Sequence, residues 1–201
     1  MKFWAILYYI VYMLILLIGY QIYLKRKTGE GLGGQREIPK NLMWIFILGI
    51  IGTWILILYP IIFLFYPNIV GITFPISIIQ NLPFEILGII LIVLGAILTT
   101  IAMFQLGISA RIYIPKQKTK LITSGVYRFC RNPAYIGMYL SFFGLFFLLP
   151  SYLYLIGLCL FLINQHIRIL QEEKFLIKSF GDEYKNYIYR VGRYLPRIAK
   201  K

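Results

Sequence analysis

The chain of 201 residues alternates long uncharged apolar runs with shorter segments that are rich in lysine and arginine. Three runs, residues 3–24, 42–65 and 84–106, are each long enough to cross a bilayer as a helix, which takes about 20 apolar residues. Glu85 is the only charged residue in these three runs, and it lies at the very start of the last one. The pattern therefore predicts an all-α integral membrane protein.

Two further apolar runs, residues 133–149 and 152–165, are separated only by Pro150 and Ser151. Each lies at or below the short end of the spanning range of about 17–25 residues. We therefore expect them to form a short, tight helical hairpin. With the first three runs, the hairpin brings the expected number of transmembrane helices to five.

The charged segment that starts at Arg168 predicts a C-terminal helix outside the membrane, interrupted at Gly181, a residue type that often ends helices. Lysine and arginine number five in residues 25–40, six in 108–132, nine from residue 168 onward, and none in 66–83 or at the hairpin turn. Because these residues accumulate on the cytoplasmic side of membrane proteins, five spans are expected, with the N-terminus outside and the C-terminus in the cytoplasm.

Composition agrees with this interpretation, since 60% of the residues are hydrophobic. The net charge of +14 raises the possibility of nucleic-acid binding, but the basic residues flank apolar runs instead of forming one polar face. We expect membrane lipids as partners and no nucleic acid, and the oligomeric state stays open. Cys130, Cys159 and the single histidine, His166, are not spaced as metal ligands, so no metal is expected.

The segment of residues 120–135, KLITSGVYRFCRNPAY, is the first candidate for chemistry. Asn132 before Pro133 predicts the start of a helix, because asparagine can cap the free amides and proline suits the first helical position. That helix terminus, with Arg128 and Arg131 beside it, favours an anionic group at the membrane surface. The alternative is a basic loop that only sets the membrane topology.

The hairpin should bring its own two ends together, which makes residues 131–135 and 165–173 neighbours. Arg168 and Glu172 are four residues apart and share one helical face. Charges near the membrane that face inward usually mark a site. The alternative is an exposed ion pair, which contributes about 0.3–0.5 kcal/mol.

Two linked motifs then point to a family. The first is GVYRFCRNPAYIGMYL; the second is R-x-x-x-EE-x-x-L-x-x-x-FG-x-x-Y-x-x-Y, followed by R-Y-x-P. Together they resemble the isoprenylcysteine carboxyl methyltransferase family, and the wider group of integral-membrane methyltransferases that includes the phospholipid methyltransferases. The resemblance covers about residues 112–196. The first three runs resemble the family only in being apolar segments that can span a membrane.

The resemblance implies S-adenosyl-L-methionine as the methyl donor, bound around the hairpin on its cytoplasmic side. The residues it assigns to the cofactor are Thr119, Lys120, Leu121, Ile122, Tyr127, Asn132, Pro133, Ala134, Tyr135 and Glu172. Residues 119–122 would act chiefly through their backbone, Tyr127 would pack on the cofactor, and Glu172 would hold one of its polar groups. Arg168 matches the position associated with the substrate carboxylate, which makes it the expected catalytic residue.

One position departs from the family pattern, because Asn132 stands where the family usually has histidine. Asparagine can donate and accept hydrogen bonds but does not titrate. A role for this position as a proton carrier is therefore not expected in this chain.

The resemblance implies a lipophilic or prenylated methyl acceptor, and the residues favour a carboxylate over an amine. A carboxylate is ionised at neutral pH and needs no general base, whereas a protonated amine would need one. The alternatives are a phospholipid N-methyltransferase of the same fold, a membrane sterol-type reductase, and a membrane subunit without enzymatic activity. We expect residues 1–107 to shape the substrate entrance and residues 108–201 to form the cofactor-binding methyltransferase region.

Overall fold

The computed structural model describes residues 1–28, 42–107 and 120–197, and these fold into a bundle of helices. The helices are α1 (Lys2–Thr28), α2 (Met43–Phe65), α3 (Ile69–Ile72), α4 (Leu82–Leu106), α5 (Pro133–Leu148), α6 (Tyr152–Phe180) and α7 (Asp182–Arg190). Short 3-10 turns lie at Ser77–Ile79 and Gly125–Arg128. The all-α prediction is confirmed over the described residues.

Helices α1, α2, α4 and α6 are long and apolar enough to cross a membrane, so the chain is an integral membrane protein. The hairpin helix α5 has 16 residues, or about 24 Å of helix, which is less than the hydrocarbon thickness of about 30 Å. The described residues thus contain four candidate full-length spans and, in α5, a shorter apolar helix, so the expected count of five transmembrane helices is not confirmed. The second arm of the hairpin is longer than expected, because α6 continues without a break to Phe180.

Local sequence explains where these helices begin and end. The Asn81 side chain accepts a hydrogen bond from the Phe84 amide at the start of α4, and Ser151 does the same for the Tyr154 amide at the start of α6. Gly181 ends α6 with a φ of 55°, a left-handed conformation that glycine adopts without strain. The predicted interruption at this glycine is confirmed.

Facing glycines hold the centre of the bundle together. On α4 and α5, Gly88 lies against Gly144 and Gly95 against Gly137, and a Cβ on Gly95 would lie 2.4 Å from the Gly137 carbonyl oxygen. Lipid tails are as apolar as helix surfaces, so membrane helices associate through close packing, which small residues allow. Small residues therefore form the packing face between α4 and α5.

Helix α1 packs more loosely and is attached to α4 by polar side chains. The contacts are the Tyr12 hydroxyl donating to the Ala96 carbonyl (2.7 Å), the Tyr20 hydroxyl donating to the Gly107 carbonyl (2.8 Å), and an ion pair between Lys2 and Glu85 (3.0 Å). Residue numbers rise together along both helices in these contacts. Helix α1 therefore runs parallel to α4.

The two ends of the bundle differ in charge. At one end, the uncharged connection between α2 and α4 packs on the hairpin turn, where the Ile76 amide donates to the Pro150 carbonyl and the Tyr152 amide donates to the Phe74 carbonyl, each at 3.0 Å. The basic last turn of α1 and the segment before α5 lie at the other end. The structure thus separates the basic segments from the uncharged connections.

The α4–α5 contact gives a first prediction. Gly95→Ala places a methyl group 2.4 Å from both the Gly137 carbonyl oxygen and the Ser141 hydroxyl, and overpacking of this kind costs about 1–3 kcal/mol. We expect a lower midpoint in thermal unfolding of the purified protein in detergent. Gly19→Ala is the matched control, since a Cβ there meets no atom within 4 Å. Equal midpoints for the two variants would contradict the close packing.

Candidate active site

The loop before α5 and the tail after α7 meet at the open end of the hairpin. Cys130 and Gly192 form a parallel bridge, and the Arg131 amide donates to the Gly192 carbonyl at 2.9 Å. Helix α7 makes this possible because it reverses direction after Gly181 and packs against the end of α6. Residues 191–197 therefore lie beside the first turn of α5.

A buried carboxylate joins these elements. The Glu173 side chain, 9% exposed, accepts hydrogen bonds from Arg131 and Arg193, with a shortest N–O distance of 2.7 Å to each guanidinium. Arg131, whose side chain is 7% exposed, also donates to the carbonyls of Ile188 (3.2 Å) and Val191 (2.7 Å) at the end of α7. A charge removed from water needs partners of this kind, and the last carbonyls of a helix need donors.

The electrostatics of this cluster favour its charged form. The hydrogen bond and the negative charge from Glu173 raise the pKa of the Arg193 guanidinium. One carboxylate between two guanidiniums leaves the cluster with a net charge of +1. The cluster therefore stays positive although the two arginines balance the charge of Glu173.

The side chain of the preceding residue, Glu172, points away from this cluster. Consecutive residues on a helix are about 100° apart, so Glu172 faces α5 while Glu173 faces the tail. The Tyr135 hydroxyl donates to the Glu172 carboxylate at 2.8 Å. One turn earlier on α6, Arg168 has a buried Nε atom with no hydrogen-bond partner among the described residues. A buried donor of this type calls for an acceptor, and the described part of the chain does not supply one.

Asn132 does not have the role expected for a helix cap. It precedes α5, and Pro133 is the buried first residue of that helix, but the Asn132 side chain makes no capping hydrogen bond. Instead, its amide donates to the Arg193 carbonyl at 3.1 Å. The capping expectation is wrong: the side-chain oxygen accepts no amide of the first turn, and the side chain is directed toward the tail by the bond that its NH2 group donates. Ala134, half-buried, follows in the first turn of α5.

Tyr127 lies in the 3-10 turn before α5 and is buried. Its hydroxyl donates to the Ala102 carbonyl near the end of α4 at 3.2 Å, and its carbonyl accepts from the Tyr187 hydroxyl at 2.6 Å. Burial, reinforced by nearby ionisable groups, raises the pKa of both phenols, so both remain neutral donors. The turn is thereby tied to α4 on one side and to α7 on the other.

The segment that leads into this turn is only partly described. Lys120 is exposed, Ile122 is half-buried, and Leu121 packs on the apolar cluster that includes Tyr184 of α7. Thr119 lies outside the described residues. The assigned cofactor contacts of residues 119–122 therefore stay predictions.

A row of aromatic rings runs from α5 to the tail. The ring centroids of Tyr135 and Tyr139 are 6.5 Å apart, and those of Tyr139 and Tyr194 are 6.3 Å apart. The Tyr194 hydroxyl is 2.7 Å from His166 Nδ1 of α6, and the tautomer of the ring decides which atom donates. Aromatic faces favour cations, so this row suits a positively charged ligand.

The structure thus brings the predicted ends of the hairpin together, with Tyr135 on Glu172 and Arg131 on Glu173. Sequence reasoning missed the roles of Glu173 and Arg193. The available signal was the pair of consecutive glutamates, since two neighbours on a helix cannot face the same group.

The chain is similar in sequence to known methyltransferases. Residues 84–183 match the family model described as phospholipid methyltransferase. The protein-S-isoprenylcysteine O-methyltransferase of Saccharomyces cerevisiae is 35% identical over 118 residues, 56% of this chain and 49% of the relative. The Xenopus laevis protein of that name is 32% identical over 118 residues, 57% of this chain and 41% of the relative.

The Oryza sativa subsp. indica protein, named a probable protein-S-isoprenylcysteine O-methyltransferase, is 34% identical over 116 residues, 55% of this chain and 60% of the relative. The chain belongs to the isoprenylcysteine carboxyl methyltransferase family. It spans about half the length of the curated relatives that it matches.

The match to the phospholipid methyltransferase model, residues 84–183, covers nearly all of α4, the whole of α5 and α6, and the first residues of α7. In this member of the isoprenylcysteine carboxyl methyltransferase family, the matched segment contains Tyr135, Arg168, Glu172 and Glu173. Arg193, the second partner of Glu173, lies after it.

The buried cluster gives a second prediction. Glu173→Gln leaves two guanidiniums without their counter-charge, and breaking a buried ion pair costs about 3–5 kcal/mol. We expect a lower midpoint in thermal unfolding, together with faster proteolysis of the tail after α7. Asp182→Asn is the control, because its ion pair with Lys185 is exposed and contributes little. Similar midpoints for both variants would show that Glu173 does not hold these elements together.

Proposed function

We propose that the chain is an S-adenosyl-L-methionine-dependent membrane methyltransferase that O-methylates the carboxylate of an isoprenylcysteine-like lipophilic substrate. The observation that carries this proposal is the buried Nε of Arg168, one turn from the Glu172–Tyr135 pair, for which residues 1–28, 42–107 and 120–197 offer no acceptor. Membership of the isoprenylcysteine carboxyl methyltransferase family and the names of the relatives support the same reaction class.

The residues around the hairpin suit a sulfonium cofactor that also carries amino and carboxylate groups. Glu172 would hold a polar, positively charged group, with Tyr135 orienting its carboxylate. The N-terminus of α5, where Asn132 makes no capping hydrogen bond, carries the partial positive charge of the helix dipole, which suits an anionic group. The backbone of residues 119–122 and the ring of Tyr127 would complete the assigned contacts. When bound, S-adenosyl-L-methionine supplies the methyl group.

The acceptor then needs positioning more than acid–base chemistry. A carboxylate is ionised at neutral pH, so no residue has to remove a proton. Arg168 can hold both carboxylate oxygens in a two-pronged grip, which fixes their direction toward the methyl carbon. Asn132 cannot titrate and donates to the tail, so it is not a proton carrier in this chain.

Phospholipid N-methylation is the second candidate, favoured by the description of the matching family model. A protonated amine would have to lose a proton before attack. Glu172 is the carboxylate best placed to accept it, but in the proposed site that group already binds the cofactor. We therefore favour the carboxylate acceptor.

We also propose that the basic end of the bundle, with the candidate site, faces the cytoplasm and that the N-terminus lies outside. The support is the segregation of lysine and arginine at that end, which is typical of cytoplasmic segments. Residues 1–107 would shape the entrance for a lipophilic or prenylated acceptor from the bilayer, and residues 108–201 would bind the cofactor.

Cofactor binding gives a third prediction. Glu172→Gln removes a charged hydrogen-bond acceptor, and a bond of that type contributes about 1.5–3 kcal/mol, so the Kd for S-adenosyl-L-methionine should rise about 10- to 100-fold. Isothermal titration calorimetry of the protein in detergent measures this change. Glu183→Gln is the matched control, since that glutamate is exposed on α7. No heat with the unchanged protein, or equal weakening by both variants, would reject the site.

Acceptor chemistry gives a fourth prediction. With the labelled methyl donor, a prenylated cysteine that carries a free carboxylate should take up label that alkali releases as methanol, whereas N-methyl lipids keep theirs. Arg168→Lys preserves the charge but loses the two-pronged grip, so kcat/KM should fall at least about tenfold. Arg190→Lys, exposed at the end of α7, should leave the rate unchanged. Alkali-stable label in phospholipid would favour the second candidate.

A further inference from the structure

Three large apolar side chains remain exposed outside the membrane-spanning helices, next to the candidate site. Phe129 is 56% exposed, Tyr189 is 79% exposed and Leu195 is 76% exposed. Exposed apolar residues are expected where a helix faces lipid, but these three lie in a turn, at the end of α7 and in the tail. A clustered apolar surface of this kind usually marks an interaction site.

The backbone brings the three segments that carry these side chains together. The bridge between Cys130 and Gly192 places Phe129 beside the start of the tail. The tail then turns so sharply that a Cβ on Gly192 would lie 2.0 Å from the Leu195 carbonyl oxygen. The last turn of α7, which carries Tyr189, is joined to the tail because Arg197 donates to the Tyr189 carbonyl.

Two arginines complete this surface. The Arg128 guanidinium lies 5.4 Å from the centre of the Phe129 ring, and the Arg197 guanidinium lies 5.8 Å from the centre of the Tyr189 ring. The acidic residues of α7 lie in its first turn, about 10 Å from Tyr189 along the helix. We call Phe129, Tyr189, Leu195, Arg128 and Arg197 the aromatic–arginine surface.

This surface lies level with the start of α5. Arg131, two residues after Phe129, binds the carbonyls of Ile188 and Val191, which brings the end of α7 back to that level. Helix α5 is about 24 Å long, and its far end meets the hairpin turn. Because the hydrocarbon layer is about 30 Å thick, a hairpin turn at the opposite boundary places the start of α5 no farther out than the boundary between hydrocarbon and headgroups.

We propose that the aromatic–arginine surface binds anionic phospholipid headgroups of the adjacent leaflet. Aromatic rings settle at the membrane interface, where their apolar faces and polar edges are both satisfied. Arginine side chains extend along apolar surface and present their charge to phosphate groups. The surface is continuous with the membrane-spanning helices, so the bilayer is its nearest neighbour. A lipid surface therefore fits it better than a separate protein.

Such binding would fix the tail to the bilayer. Residues 191–197 carry Arg193, which pairs with Glu173, and Leu195 and Arg197, which belong to the aromatic–arginine surface. Anionic lipid would therefore hold the tail from outside while Glu173 holds it from inside. This inference does not depend on the proposed methyl transfer.

The experiment uses the full chain in lipid nanodiscs made of phosphatidylcholine with phosphatidylglycerol at one fixed mole fraction. Tyr189→Trp introduces an indole into the surface, and bromine atoms are placed on the acyl chains of either one lipid or the other. We expect quenching per brominated phosphatidylglycerol to be about five times that per brominated phosphatidylcholine, because one nearby basic residue enriches anionic lipid by about that factor. The signal of Trp4, Trp44 and Trp54 is measured on the parent protein and subtracted.

Two charge deletions separate this surface from the overall charge of the protein. Arg128→Ala with Arg197→Ala should abolish the preference, whereas Lys178→Ala with Lys185→Ala removes equal charge from exposed positions elsewhere and should retain it. Leu195→Trp serves as a second reporter and should show the same preference. Equal quenching by the two lipids, or stronger quenching by aqueous iodide than by either lipid, would overturn the proposal.

Discussion

The pairing of one buried carboxylate with two guanidiniums is the contact on which the functional end of this protein depends. Glu173 accepts hydrogen bonds from Arg131 before α5 and from Arg193 after α7. Removing a carboxylate from water is costly, and the cost is offset only when its oxygens keep charged donors at short range. The loop, α6 and the tail must therefore take up positions that satisfy this group together. Arg131 extends the constraint by also holding the last carbonyls of α7.

The position of Glu173 also determines the direction of the Glu172 side chain in the candidate site. Once Glu173 faces the tail, helical geometry turns Glu172 by about 100° toward the first turn of α5, where Tyr135 donates to it. One glutamate thus joins the loop and the tail, while its neighbour contacts Tyr135 in the candidate site. The same arrangement accounts for Asn132, whose amide supports the tail through the Arg193 carbonyl.

The membrane shapes the rest of the molecule through different forces. Apolar helices in lipid gain little from hiding apolar surface, so close contact between backbones matters more, as at Gly88 and Gly144. Helix α1 lacks such a seam and is attached through tyrosine hydroxyls and one ion pair. The short α5 keeps its own first turn, together with the end of α7 and the tail, close to the headgroup region.

The sequence by itself determined the helical class, the apolar runs, the hairpin turn and the pairing of its ends, because these follow from run length, charge and chain connectivity. It also pointed to Tyr135, Arg168 and Glu172 through two linked motifs. Only the tertiary structure decided that α6 continues to Phe180, that Asn132 binds the tail instead of capping α5, and that Glu173 joins two arginines. The roles of Asn132 and Glu173 depend on partners 20 to 61 residues away, and no local sequence pattern predicts that these residues meet.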